Sequence, residues 1–148
     1  VLVRLPERPN GSTAWVRESA VKLYRLDDYI IVHLKRRMID VYIGGNKLTS
    51  SIAVGSQQYP TPTGHFYVID RVSLKAHSGY GSFALGTSAY SNVLTEFAGG
   101  NGQVGIHGTD DKDSIGKAVS HGCIRVPDSM LVMLKEVQLG TPIFIKKD

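Results

Sequence analysis

The residues with the greatest chemical capacity lie close together in the sequence: Ile106-His107-Gly108-Thr109, then Ser114-Ile115-Gly116-Lys117-Ala118-Val119-Ser120-His121-Gly122-Cys123-Ile124-Arg125. They include the chain's single cysteine, two histidines and an arginine, spaced by glycines that let a backbone approach a ligand closely. A thiol with a pKa of about 8.5 is only a few per cent thiolate at neutral pH, so a nucleophilic cysteine needs a base or a positive neighbour. His107, His121 and Arg125 supply both. His121 lies two positions before Cys123 and shares its face if the segment is extended, whereas His107 must be delivered by the fold. Spacing alone leaves either histidine open as the base. Gly122 allows a tight turn in which its own amide and that of Cys123 point the same way. Two such donors stabilise the oxyanion of a tetrahedral intermediate by roughly 3 to 4 kcal/mol each. The motif therefore reads as acyl transfer through a thioester. A zinc site built from His107, His121 and Cys123 is a competing reading, against which stand the tight His-x-Cys spacing and the absence of a Cys-x-x-Cys.

These groups need a scaffold, and most of it reads as β. Tyr29–Leu34, Met38–Ile43, Leu48–Val54 and Phe66–Ile69 are rich in β-branched and aromatic residues, and Gly44-Gly45-Asn46 separates the second and third as a hairpin turn. Pro60-Thr61-Pro62-Thr63-Gly64 is a rigid loop, because its prolines lack the amide hydrogens of a ladder. From Ser73 to Gly102 small and polar residues prevail without a lasting period, a composition that fits irregular loops draped near the site and equally a floppy insertion, the neighbouring motif arguing for the former. Tyr80 and Tyr90 are candidates to reach the site from that stretch. Pro127 opens a helix in which Met130, Leu131, Met133, Leu134 and Val137 share a face, and Gly140 stops it. A shorter helix is expected over Asp113–Val119, capped by Asp113 or Ser114. Thr141–Ile145 returns as a last strand.

With 148 residues the chain fits one domain. No apolar run approaches the roughly 18 residues of a membrane span. The formal charge of +4 fits polyanionic surroundings: nucleic acid, anionic lipid or the anionic polymers of a bacterial wall. Lys35-Arg36-Arg37 is the densest basic run, but it lies between two strand candidates as a hairpin tip and is not read as a nucleic-acid patch. A lone cysteine excludes an intrachain disulfide. The chain begins Val1-Leu2-Val3 without Met and is expected to be cut from a longer precursor, which leaves open whether an export signal or membrane anchor preceded it. Residues 1–27 read as a connector or the end of an upstream module, and 28–148 as the catalytic domain. His33, His65 and His77 stand alone and are read as structural or surface residues.

His107-Gly108-Thr109 followed by Ser120-His121-Gly122-Cys123 and Arg125 resembles the motif of the L,D-transpeptidase (YkuD-domain) family, and Pro60-Thr61-Pro62-Thr63-Gly64 is similar to that family's Pro-Thr-Pro-x-Gly loop. The resemblance spans roughly residues 28–146. It implies a mainly β fold, a sandwich of mixed sheets with one or two short helices beside the active-site loop. It also implies a catalytic set of Cys123, His107, Gly108, His121 and Gly122. Cys123 would be the nucleophile and His107 the base, its tautomer held by the Gly108 carbonyl. His121 would shape the site, and Arg125 would pair with a substrate carboxylate or brace the loop. Ser120 and Tyr90 complete the substrate-contacting candidates. No metal or other cofactor is implied. The implied reaction attacks the third residue of a peptidoglycan stem tetrapeptide, expels the terminal D-Ala and forms a 3→3 cross-link to a neighbouring stem, outside the cytoplasm. Carbapenems would acylate the same thiol. Water in place of the amine would make the enzyme an L,D-carboxypeptidase, and a wall-binding module without catalysis is a further alternative.

Overall fold

The computed structural model describes residues 1–75 and 78–148; His77 lies outside the described residues. After a small hairpin of β1 (Leu2–Arg4) and β2 (Thr13–Trp15), β3 (Tyr29–His33), β4 (Met38–Ile43) and β5 (Asn46–Ser51) form an antiparallel meander. Gly44 and Gly45 make its second turn with φ of +56° and +81°, which side-chain-bearing residues rarely adopt. The third predicted strand divides. Ile52 and Ala53 are fully buried and carry the chain inward, so β6 (Val54–Gly55) leaves the meander and pairs with β10 (Ala118–Ser120).

β7 (Gly64–Ser73) is longer than its apolar run suggests, and it joins the two halves of the main sheet. Residues 64–67 pair with β12 (Pro142–Lys146), whereas residues 68–73 pair with β8 (Phe83–Tyr90). With β9 (Gln103–His107) and β11 (Ile124–Arg125), the eight-stranded order is β11-β9-β8-β7-β12-β3-β4-β5. β12 runs parallel to β3, and β11 runs parallel to β9, so the sheet is mixed. The core draws on both halves: Ile30, Val32, Ile39 and Val41 from the meander, Leu85 and Ile106 from the other end, and Ile124 beneath the site. Each such side chain contributes about 1.5 to 3 kcal/mol by leaving water.

α1 (Asp128–Leu134) follows Pro127 as expected and buries Met130, Leu131 and Leu134. Val137 is buried just beyond the helix rather than within it. Two expectations fail. β8 lies inside the stretch expected to be irregular. Its small residues reflect tight packing between β7 and β9: a Cβ on Gly86 would stand 2.9 Å from the Asp70 Cβ and 3.0 Å from Gln103 Nε2. Its buried hydroxyls satisfy neighbouring backbone, Thr87 Oγ1 donating to the Val104 carbonyl at 2.6 Å and Ser88 Oγ accepting from the Tyr67 amide at 3.1 Å. The expected helix over Asp113–Val119 is only a single 3₁₀ turn at Lys112–Ser114. Gly116, with φ of +85°, ends that turn, and β10 takes residues 118–120 by pairing with β6.

Candidate active site

The parallel pairing of β9 with β11 assembles the site. Ile106 pairs with Ile124, and both are fully buried in the core; His107 pairs with Arg125 on the opposite face. Side chains alternate along strands, so Gly105 shares the face of His107. Cys123, just ahead of β11, meets that face: the Gly105 amide donates to Cys123 Sγ at 3.4 Å. The fold thus brings His107 to the thiol across 16 positions of sequence, through one strand pair.

His107 is 5% exposed, and its Nδ1–H donates to the Gly108 carbonyl at 2.6 Å. That bond fixes the tautomer and leaves the Nε2 lone pair as the free position. Burial pushes the His107 pKa down; the Gly108 carbonyl opposes this and the Arg125 charge adds to it. Burial pushes the Cys123 thiol up, against the opposing effects of the Gly105 N–H and Arg125. Burial thus disfavours the charged form of each group. Gly108 permits this arrangement, since a Cβ there would lie 2.8 Å from Leu131 Cδ1 and 3.0 Å from the Gly81 Cα. The same close approach brings Tyr80 edge-on to the His107 ring, with centroids 4.8 Å apart.

The turn holding Cys123 is fastened from two sides. Ser120 Oγ donates to the Cys123 carbonyl at 2.5 Å and accepts from the Gly122 amide at 3.1 Å. Thr61, from the Pro-Thr-Pro loop, accepts from the Gly55 amide and donates to the Gly122 carbonyl, each at 2.8 Å. Gly122 has φ of +118°. The segment is therefore a bend rather than an extended strand. One expectation is corrected here: the Gly122 amide is taken up by Ser120 and does not pair with that of Cys123 toward an oxyanion. Among the described residues, the amides of His121 and Cys123 donate to no other group of the chain.

His121 is exposed and its ring lies between two aromatics, 5.0 Å from Tyr59 and 4.6 Å from Phe97, both near-parallel. Arg125 is half-buried and reaches the exposed Asp111 at 3.4 Å, a pair worth little in water. Ser78, Gly79, Tyr80, Phe97, His107, Ser120, His121, Cys123 and Arg125 line an open cleft of about 330 Å³. Tyr90 is not among them. Its hydroxyl donates to the Pro6 carbonyl at 3.0 Å and Arg8 covers its ring, so the expectation that Tyr90 contacts substrate is corrected; burial against the N-terminal arm turns it away. Sequence reasoning missed Phe97, a cleft-lining residue, and Tyr59, which stacks on the His121 ring. The available signal for Phe97 was a lone aromatic before Ala98-Gly99-Gly100, which makes the turn that presents it. No cluster of three or more His, Cys, Asp or Glu suited to a metal occurs among the described residues, and the zinc reading finds no third ligand where His121 is stacked.

Fold and site together define a mainly β domain in which a histidine on β9 and a cysteine just ahead of the parallel strand β11 line one open cleft. Residues 27–145 match the family model YkuD, the L,D-transpeptidase catalytic domain. YkuD of Bacillus subtilis, which bears an inferred L,D-transpeptidase name, is 32% identical over 126 residues, covering 84% of this chain and 69% of the relative. YqjB of the same organism, similarly named, is 30% identical over 133 residues, covering 82% and 73%. The chain belongs to the YkuD L,D-transpeptidase family. Among solved structures, the Ldtfm–avibactam carbamoyl enzyme is 29% identical with a TM-score of 0.62, matching 84% of this chain and 50% of that one. This chain thus spans half the length of that protein. It covers 97% of the isolated catalytic domain of the Enterococcus faecium L,D-transpeptidase, at 28% identity and a TM-score of 0.56.

Proposed function

We propose that Cys123 is the acyl-accepting nucleophile and His107 its base in a peptidoglycan L,D-transpeptidase. The observation that carries this reading is the geometry: the Cys123 thiol just ahead of β11 and the tautomer-locked His107 imidazole on the paired β9 line one cleft. In the reaction, Sγ attacks the carbonyl carbon of the third stem residue while His107 Nε2 accepts the thiol proton. The oxyanion faces the free amides of the His121–Cys123 bend. Collapse breaks the bond to the terminal D-Ala, whose amine takes the proton from the imidazolium, leaving a thioester. An amine of a neighbouring stem then attacks the thioester, gives its proton to His107, and releases the 3→3 cross-linked product as Sγ recovers that proton. Arg125 pairs with a carboxylate of the donor stem once Asp111, exposed and weakly held, gives way. The substrate places the site of action outside the cytoplasm, at the cell wall.

The carbamoyl adduct of Ldtfm with avibactam supports covalent trapping of a related site. Imipenem bound to LdtMt1, a structure 21% identical to this chain, supports carbapenems as the probe class. The deciding experiment is intact mass after incubation with a carbapenem. A single adduct on the parent and none on Cys123→Ala is expected; an adduct on both, or on neither, would overturn the assignment. Product analysis with stem tetrapeptides then separates the acceptors, since cross-linked dimer requires transpeptidation and tripeptide alone means hydrolysis.

A further inference from the structure

The chain between β8 and β9 is a loop whose ends meet, with the Ser91 amide donating to the Gly102 carbonyl at 2.8 Å. Its tip is closed by two backbone bonds between Phe97 and Gly100, and it presents Phe97 to the His121 ring. Little apolar burial holds this loop, since Val93 and Phe97 are both exposed. Its neck is held instead by the N-terminal arm, which lies ahead of the family-matched residues 27–145.

Arg8 reaches three carbonyls of the neck, those of Asn101 at 2.8 Å, Leu94 at 2.9 Å and Ser91 at 3.4 Å, and stacks 4.7 Å above the Tyr90 ring. Asn10 imitates a neighbouring strand, its side chain accepting from the Tyr90 amide at 2.9 Å and donating to the Tyr90 carbonyl at 2.7 Å. Tyr67 and Tyr90 fasten the arm in turn through hydroxyl bonds to the carbonyls of Arg4 and Pro6. Gly102 is suited to this neck, because a Cβ there would stand 2.6 Å from Arg8 Nη2. A guanidinium has the fixed fork needed to satisfy several carbonyls at once, which a lysine ammonium lacks.

We propose that residues 4–10 are a positioning element of the cleft: Arg8 and Asn10 clasp the neck of the 91–102 loop, set Phe97 against His121, and so make the cleft discriminate among acyl donors. The specificity part rests on the acyl-transfer reading above; the clasp itself does not. Amide exchange over residues 92–101, alkylation of Cys123 by iodoacetamide and steady-state kinetics on stem tetrapeptide would be compared for the parent, Arg8→Ala, Arg8→Lys and Phe97→Ala. In Arg8→Ala, exchange in the loop is expected to rise about tenfold, with Arg8→Lys intermediate. KM for the peptide should rise about fivefold at nearly constant kcat, while the small alkylating reagent reacts at the parental rate. Phe97→Ala should reproduce the KM change without loosening the neck. Parental exchange in Arg8→Ala overturns the clasp. A loosened loop with parental KM overturns its role in the cleft, as does an equal loss of peptide turnover and alkylation. If the parent itself fails to turn over peptide, the acyl-transfer reading fails, and the exchange result still decides the clasp.

Discussion

Thr61→Val tests whether the Pro-Thr-Pro loop organises the nucleophile from a distance. The substitution keeps the shape of the side chain and removes a buried hydroxyl that accepts from the Gly55 amide and donates to the Gly122 carbonyl, each at 2.8 Å. The Gly122 carbonyl, in a buried bond, then loses its partner at about 1 to 3 kcal/mol. The Gly55 amide is half-buried, so water repairs part of its loss and it adds about 1 kcal/mol. The sum is roughly 2 to 4 kcal/mol, or a fall in Tm of roughly 4 to 16 °C for a domain of this size. A domain with about 5 to 15 kcal/mol of stability remains folded at room temperature, so acylation can be read on native protein. There the Gly122 bend has lost its anchor from the side of the loop, and carbapenem acylation should slow by about tenfold or more, because small displacements of a nucleophile are costly. Thr61→Ser, which restores the hydroxyl, should recover most of both losses. Urea unfolding and time-resolved intact mass would measure the two effects. A Thr61→Val protein with parental stability and parental acylation would refute the reasoning.

If His107 is the base of the proposed reaction, His107→Ala should slow alkylation of Cys123 at neutral pH by about 10²-fold or more. In the parent, the acid limb of that alkylation should lie below the 6.5 of an ordinary imidazole, since burial holds His107 neutral; a limb at or above 6.5 would contradict this. Gly108→Ala places a methyl group against Leu131 and the Gly81 backbone and should cost about 1 to 3 kcal/mol in urea unfolding. Acylation should fall with it, as the carbonyl that orients His107 is displaced. Acid should destabilise the fold in two windows. His107 has a folded-state pKa below its unfolded value, so its contribution is present above 6.5 and is lost as pH falls through the folded value. Asp40 loses some of its acidity to burial, but Thr49, Lys47 and His33 outweigh this and hold its pKa below 3.8. Its contribution is therefore lost only below that pH. Tm measured against pH for the parent, His107→Gln and Asp40→Asn would separate the windows; parallel curves for all three would contradict both assignments.

The meander and the terminal strand were legible in the sequence because β-branched and aromatic residues cluster between glycine turns, so local preference and tertiary pairing agree. β8 was hidden for the opposite reason. Gly86, Ser88 and Ala89 are chosen for close packing between two strands, which from composition alone looks like a loop. The expected helix at Asp113–Val119 failed because Gly116 stops the turn and β6 offers β10 a partner that no local pattern reveals. Within the site, the motif named Cys123, His107, Ser120 and Arg125, all of which line the cleft. Phe97 and Tyr59 escaped because they meet the site residues through stacking on His121, a relation between distant segments. Tyr90 misled because proximity to a glycine-rich stretch does not determine which side of β8 its ring leaves.

The electrostatics of the pair constrain the order of events in the proposed reaction. Burial moves the two groups in opposite directions, His107 down and Cys123 up, and so favours the neutral form of both. A preformed thiolate–imidazolium pair would need positive charge at the sulfur. Arg125, the cation beside it, is half-buried and partly satisfied by Asp111. Arg125 also lowers both pKa values, making the thiol slightly more acidic and the imidazole slightly less able to hold a proton. These directions favour proton transfer that accompanies attack over transfer that precedes it. In the proposed reaction an electrophile seated against the free amides of the Cys123 bend supplies the missing stabilisation, because charge leaving sulfur appears on an oxyanion that such N–H groups bind. The acyl donor itself activates the thiol in that proposed reaction, so a partly buried cysteine can serve as the nucleophile.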